Sequence, residues 1–323
     1  MKEACKTISF DQARKNDLLG TFVAAWDESG PHNEIFWLGW VAGTSYGWKT
    51  GAPDPETLIP EFMTLFYGAQ SEDMPEVYEL LSRASKFWSS SWDRVPSLRE
   101  LNYGGSYGPR KSALKNASID LPRLPDPETL YNHPYWKRHY QKTLAELESE
   151  KTASDRLLRL LEGNLKKCER NQYNLEVLQA NAIYLRHNLD LFETLAQIED
   201  MLSESSKMRE EHRYADALKQ LVAVEDTAER ICRERERSYA ALKRVWERSQ
   251  YPKGRSTDMK RYVHIESDTW SGGGNRTPDL SYLVRRERLL NLERWTLDLK
   301  GIRQSFALQH QFEVPVEILY PQD

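Results

Sequence analysis

The sequence has few cysteines, no long apolar run and no excess of basic residues. Each of these absences argues against a class of site or partner. Cys5, Cys168 and Cys232 are far apart and form no Cys-x-x-Cys spacing, so we expect neither a disulfide framework nor a metal site. No stretch approaches the roughly 20 apolar residues of a membrane span, and the first residues lack the pattern of a signal peptide. The 45 basic and 49 acidic residues give a net charge of -4, which predicts neither a nucleic-acid nor a membrane partner.

Aromatic residues are abundant instead. The 323 residues include 10 tryptophans and 16 tyrosines, which is typical of a folded protein and not of a disordered polyelectrolyte. A chain of this length is expected to form about two domains.

The first third of the chain shows mixed patterns. Residues 20–25 form a short apolar run that predicts a strand, and the longer apolar run over residues 33–48 predicts a nearly buried helix. Acidic residues next to prolines predict the starts of two helices, over about 55–68 and 74–92. Residues 94–126 are rich in Pro, Gly, Ser and Asn, which predicts a long loop.

Beyond this loop, apolar residues recur every three and four positions, as in a helical bundle. The apolar seam in residues 171–202 continues in segments before and after it, which predicts three antiparallel helices joined by short polar turns. We expect an irregular connection over residues 251–278 and a fourth helix over about 279–309. The seam positions are Leu147, Leu158, Leu161, Leu165, Leu175, Leu178, Ala182, Leu185, Leu189, Phe192, Ala196, Leu221, Val224, Ala228, Ile231, Leu242 and Val245.

The predicted strand ends in Trp26, Asp27 and Glu28, within the stretch GTFVAAWDESG. Proteins with alternating strands and helices place ligand-facing groups at the carboxyl ends of strands, so these residues form the first candidate site. The structural alternative is a core indole followed by two acids that cap the next helix.

The spacing of a glycine, Trp26 and Glu28, followed by an aromatic-rich helix that ends in Trp48, resembles the last strand and helix of glycoside hydrolase family 20. This family comprises the β-N-acetylhexosaminidases, which are built on a TIM barrel. The resemblance covers about residues 5–50 and implies a carbohydrate partner, a terminal N-acetylhexosamine. It implies that Trp26 stacks on the sugar and that Glu28 accepts hydrogen bonds from its hydroxyl groups, with Asp27 as a third substrate-binding candidate.

The resemblance also implies a reaction and a missing part. Family members remove terminal β-linked N-acetylhexosamine with retention and without a cofactor: the 2-acetamido oxygen attacks the anomeric carbon, an aspartate orients the acetamide and the adjacent glutamate protonates the leaving oxygen. That Asp-Glu pair belongs to the fourth barrel strand, whereas Asp27 and Glu28 match the eighth. We therefore expect a carboxyl-terminal part of such an enzyme, often exported in this family, which is inactive without the remainder of the barrel.

On this interpretation the fold is mainly α. Residues 1–50 are the terminal βα unit of a TIM (β/α)8 barrel, residues 51–125 are linking helices and a loop, and residues 126–323 are an antiparallel bundle of long helices. A barrel glycosidase of another family is the nearest alternative. A non-catalytic helical scaffold or interaction protein is the second, because no complete catalytic set is present.

A serine hydrolase is the third alternative. Gly-x-Ser-x-Gly occurs around Ser45 and Ser106, but neither serine has the strand before it and the helix after it that a nucleophilic serine requires. His133 and His139 lack the spacing of metal ligands and are expected to be solvated or capping residues. The glycine-rich stretch at Gly272–Asn275 lacks the Lys-Ser/Thr of a phosphate-binding loop and is expected to be a turn.

Overall fold

The computed structural model of the protein describes residues 22–23, 32–48, 54–91, 119–249 and 292–313. Within these residues the chain is mainly helical and contains no strand, which confirms the mainly α fold class. No helix in this part of the chain is both long enough and apolar enough to cross a membrane. A 3₁₀ helix, Asn33–Phe36, is followed by α1 Trp37–Trp48, α2 Pro55–Tyr67, α3 Met74–Ser90, α4 Trp136–His139, α5 Gln141–Lys167, α6 Gln172–Glu210, α7 Tyr214–Ser249 and α8 Leu292–Gln309.

Local sequence sets the ends of α2. The Asp54 carboxylate accepts a hydrogen bond from the backbone N–H of Glu56 at 3.1 Å, and Pro55 occupies the first helical position. Gly68 ends the helix with a φ of 105°, a left-handed conformation that only glycine adopts without strain. The predicted helices over 55–68 and 74–92 are therefore confirmed, as α2 and α3.

The bundle helices α5, α6 and α7 contain 27, 39 and 36 residues. The Tyr173 hydroxyl near the start of α6 donates to the Val245 carbonyl near the end of α7, and Ser205 near the end of α6 donates to the Ala217 carbonyl at the start of α7. Arg186 of α6 likewise pairs with Asp155 of α5. The first two pairings show that α6 and α7 are antiparallel, and the short connection of residues 168–171 makes α5, which packs on α6, antiparallel to it as well, as predicted.

The chain divides into two compact units, and both contain parts of the long helices. Unit 1 comprises Met1–Ser118, Glu148–Asn188 and Arg237–Leu289, and unit 2 comprises Ile119–Leu147, Leu189–Glu236 and Leu290–Asp323. The predicted domain boundaries near residues 50 and 125 stay predictions.

Each unit has its own buried core. In unit 2, Trp136 is fully buried, and its ring lies 5.7 Å from that of Phe192, which in turn lies 5.4 Å from that of Tyr140. In unit 1 the main core combines residues of α1, α2, α3, α5 and α6. Its buried members are Leu38, Phe62, Met63, Tyr67, Met74, Val77, Tyr78, Leu157, Leu160, Leu161, Cys168, Leu175, Leu178 and Ala182.

Candidate functional site

The predicted sugar-binding residues Trp26, Asp27 and Glu28 lie outside the described residues, but the chain is described on both sides of them. Val23, before them, lies against α1: a Cβ atom built on Gly43 would come within 2.9 Å of Val23 Cγ2. Any side chain at position 43 would overlap the valine, so the close approach depends on glycine. Val23 therefore packs on the helix that follows it in the chain, although Phe22 and Val23, the described residues of the predicted strand, do not form one.

The helix α1 is apolar on all sides but only partly covered. On one side, the Trp37 ring lies 6.1 Å from the Phe66 ring of α2. At the end of the helix, Trp48 is 90% exposed. The expectation of a nearly buried helix is thus wrong, because only Leu38, Ala42 and Tyr46 of α1 are buried.

A polar cluster within unit 1 joins the segment before α1 to the bundle helices. We call it the His32 cluster, and it consists of His32, Glu34, Tyr173, Asn174 and Ser249. His32 is 4% exposed, and its Nε2 lies 2.7 Å from the Tyr173 hydroxyl and 3.1 Å from Ser249 Oγ. Its Nδ1 accepts the backbone N–H of Glu34 at 3.2 Å, which caps the 3₁₀ helix. One side chain thus connects this helix to both α6 and α7.

The hydrogen bonds of the cluster determine the protonation state of His32. The Tyr173 hydroxyl donates its one proton to the Val245 carbonyl at 2.5 Å, so His32 Nε2 donates to the Tyr173 oxygen. His32 Nδ1 accepts an N–H and therefore carries no proton, which makes the imidazole neutral. Burial lowers the pKa of His32 below its usual 6.5, although the Glu34 carboxylate and the Val245 carbonyl oppose this effect.

Asn174 extends the cluster toward the core of unit 1. Its Nδ2 donates to the Glu34 carbonyl at 2.7 Å, and its Oδ1 accepts the Tyr67 hydroxyl at 2.5 Å. The Tyr78 hydroxyl then donates to the Tyr67 oxygen at 2.8 Å. Burial raises the pKa of both phenols, that of Tyr78 to about 12 and that of Tyr67 further. Both tyrosines therefore remain neutral hydrogen-bond donors.

The other candidates in the described part of the chain, Ser45, His133 and His139, have no catalytic setting. Ser45 lies inside α1 and not at a turn between a strand and a helix, so the nucleophilic arrangement is absent there. His133 and His139 are exposed, as expected for solvated residues. Ser106 and Gly272–Asn275 lie outside the described residues.

The two described cysteines are unreactive thiols. Cys168 is buried and Cys232 is partly buried, and neither forms a disulfide. Burial raises the pKa of both, that of Cys232 to about 11, so the nucleophilic thiolate is scarce at neutral pH. Among the described residues, no group of three or more His, Cys, Asp or Glu side chains could hold a metal ion. Cys5 lies outside them.

Unit 2 contains a second buried polar site, at Glu199 of α6. Its Oε1 accepts the backbone N–H groups of Tyr135 at 2.8 Å and Trp136 at 2.6 Å, and its Oε2 accepts that of Lys137 at 2.9 Å. Glu199 is 3% exposed. Its carboxylate satisfies the unpaired donors at the start of α4, which is a structural role.

Sequence reasoning missed both polar sites. His32 and Ser249 are 217 residues apart, and His32 and Tyr173 are 141 apart, so no local pattern links them. Glu199 could have been found, because it occupies a seam position between Leu195 and Leu202 where an apolar residue is expected. A charged residue at such a position indicates a buried partner.

Comparison with known proteins finds no relative of this chain. The chain matches no protein-family model, no curated protein and no solved structure.

Proposed function

We propose that residues 20–50 form the last strand and helix of a barrel related to glycoside hydrolase family 20, and that they supply part of a binding site for a terminal N-acetylhexosamine. The contact between Val23 and Gly43 is the observation that carries this proposal. In a βα unit the helix packs back on the strand that precedes it, and this contact joins α1 to a residue three positions before Trp26.

In this site, Trp26 and Glu28 contact the sugar. Residues two apart in a strand lie on the same face, so the two side chains can reach one ligand. The indole of Trp26 covers the apolar C–H face of the pyranose ring, and the carboxylate of Glu28 accepts hydrogen bonds from hydroxyl groups such as those at O4 or O6. Asp27 would lie on the opposite face and is assigned no hydroxyl contact.

The chemical step is assigned to residues outside this chain. In the family, the acid pair lies on the fourth strand, whereas Asp27 and Glu28 correspond to the eighth. The chain therefore binds the sugar and does not by itself cleave a glycoside.

The test uses 4-nitrophenyl N-acetyl-β-D-glucosaminide and the purified 323-residue chain. Saturation-transfer NMR measures contact with the sugar protons, and absorbance measures release of the nitrophenol. We expect binding with a Kd in roughly the millimolar range, about 4 kcal/mol, without release. The control ligand is 4-nitrophenyl α-D-glucoside, which lacks the acetamido group and the β linkage.

Each other outcome contradicts a specific part of the proposal. Release of nitrophenol would place the catalytic acids within this chain. Equal saturation transfer to both ligands, or to neither, would contradict a site for N-acetylhexosamine.

The second candidate function is a non-catalytic helical interaction protein. It is supported by the long antiparallel helices α5, α6 and α7, whose exposed surfaces carry many charged residues, including the ion pairs Lys166–Glu162 and Arg230–Glu234. Bundles of this kind expose extended surfaces on which another protein can dock. Absence of sugar binding in the test above would favour this candidate.

A further inference from the structure

We propose that His32 is a pH-sensitive switch: its neutral ring holds the 3₁₀ helix Asn33–Phe36 on α6 and α7, and protonation of the ring releases this helix. All the groups involved belong to unit 1 and to the described residues. The switch is a conformational property of the fold and does not depend on the proposed sugar site.

The 3₁₀ helix is attached to the bundle helices at three points. His32, its N-cap residue, contacts one hydroxyl group on each of the two bundle helices through Nε2. The Asn174 side chain of α6 donates to the Glu34 carbonyl at 2.7 Å. Ile35 packs on an apolar cluster of α6 and α7. The buried members of this cluster are Val177, Ala180, Ala241, Leu242 and Val245. Of the three attachments, the one through His32 contains a side chain that titrates between pH 5 and 8.

The hydrogen bonds at both ring nitrogens of His32 require the neutral form. Nδ1 accepts the Glu34 N–H, and Nε2 donates to the Tyr173 oxygen. A second proton would therefore bind at Nδ1 and face the Glu34 N–H. Two donors cannot pair, so protonation of the ring removes the cap of the 3₁₀ helix.

The acid on the same segment cannot fully offset the added charge. The Glu34 carboxylate favours protonation of His32, but its Oε2 already accepts the indole N–H of Trp37 at 3.1 Å and the Asn174 Nδ2 at 3.2 Å. Burial of the ring outweighs the attraction of this carboxylate, because the pKa of His32 lies below its usual 6.5.

The bundle helices bring a phenol, a carbonyl and a cation to the same region. The Val245 carbonyl of α7 favours the protonated ring, but it is the acceptor of the Tyr173 hydroxyl. Burial raises the pKa of Tyr173, which keeps the phenol neutral. The Arg248 guanidinium of α7 lies 4.8 Å from the centre of the Tyr173 ring and pairs with Glu176 of α6. A positive charge behind the phenol disfavours a second one on the imidazole.

The direction of the pH effect follows from the two states of His32. When the ring is released into solvent its pKa is the usual 6.5, whereas burial lowers the pKa of the attached ring. The attached state therefore binds fewer protons than the released state. Attachment is complete above pH 6.5 and weakens as the pH falls below this value.

The test is hydrogen exchange of the Glu34 and Ile35 amides, measured by NMR as protection factors at about pH 7.5 and about pH 5. The Glu34 N–H is bonded to His32 Nδ1 and the Ile35 N–H to the His32 carbonyl at 3.0 Å, so both amides report release of the helix. His32→Asn keeps an acceptor at the cap position and cannot take up a proton. His133→Asn is the matched control, because His133 is an exposed histidine of unit 2.

We expect the protection factors of Glu34 and Ile35 to fall about tenfold between the two pH values in the unmodified chain and in His133→Asn. In His32→Asn they should change less than about twofold, and so should those of residues 214–236 of unit 2 in every chain. An NMR titration of the His32 ring in the unmodified chain should show proton uptake over the same pH range in which protection is lost. This second measurement needs no variant, so it tests the switch even if His32→Asn folds poorly.

Three results would overturn the inference. An equal loss of protection in His32→Asn would assign the pH dependence to another group. An equal loss in residues 214–236 would show a general acid effect on stability and not a local release. Protonation of the His32 ring without loss of protection at Glu34 and Ile35 would show that the charged ring still holds the helix.

Discussion

Replacement of Glu199 by alanine is expected to lower the free energy of unfolding by about 3–5 kcal/mol, because it leaves buried donors without a partner. The carboxylate accepts the N–H groups of Tyr135, Trp136 and Lys137, and these groups have no helical acceptor at the start of α4. Trp136 is fully buried next to this site, so water cannot easily replace the lost acceptor. Urea unfolding followed by far-UV circular dichroism measures the change.

Glu199→Gln tests the charge of the Glu199 carboxylate separately from its shape. One amide oxygen can still accept two of the hydrogen bonds, but the amide nitrogen would face the Lys137 N–H, so we expect a loss of about half the alanine value. Glu204→Ala on the exposed surface of the same helix is the control and should change little. Equal stability of the Glu199 and Glu204 variants would show that Glu199 is not a required cap.

Replacement of Arg303 by methionine is expected to lower the free energy of unfolding by about 2–3 kcal/mol, because it leaves a buried carboxylate largely unpaired. Arg303 Nε of α8 donates to Glu225 Oε2 of α7 at 2.6 Å, and their side chains are 11% and 9% exposed. Lys300 Nζ lies 3.9 Å from Glu225 Oε1, so its charge would replace that of Arg303 only in part. The same urea experiment measures the effect.

The double variant Arg303→Met/Glu225→Met provides the check on the cause. It removes both charges and replaces them with apolar groups, so much of the stability lost in Arg303→Met should return. Arg294→Met, which removes the exposed Arg294–Asp298 pair of the same helix, is the control and should have little effect. A double variant less stable than Arg303→Met would contradict the explanation by an unpaired charge.

Local sequence signals predicted much of the helical fold. The boundaries of α2 follow from Asp54, Pro55 and Gly68, each of which acts on its own neighbours in the chain. The seam of apolar residues likewise predicted α6 and its antiparallel neighbours, since burial of one face is a local periodic property. The exposure of α1 was not predictable, because it depends on which other segments cover the helix.

The sugar-binding site at Trp26 and Glu28 stays a prediction, because these residues lie outside the described part of the chain. The motif at Trp26 and Glu28 was recognisable because its residues are adjacent in sequence. The His32 cluster was not, because hydrogen bonds between residues more than 140 positions apart depend on how the long helices align. Polar residues such as Asn174 and Glu199, which lie among the apolar seam residues of α6, were the available sign of such partners.

Trp26 is proposed to form part of a site for N-acetylhexosamine. The sharpest test of this role is the Kd for N-acetylglucosamine, measured by saturation-transfer NMR in Trp26→Ala and Trp48→Ala. Both variants remove one indole from residues 20–50, and Trp48 is 90% exposed, so it controls for nonspecific contact with aromatic rings. Loss of a stacking ring costs about 1–3 kcal/mol, so we predict a Kd at least about fivefold higher in Trp26→Ala and unchanged in Trp48→Ala. Equal Kd values in the two variants would contradict the sugar-binding role of Trp26.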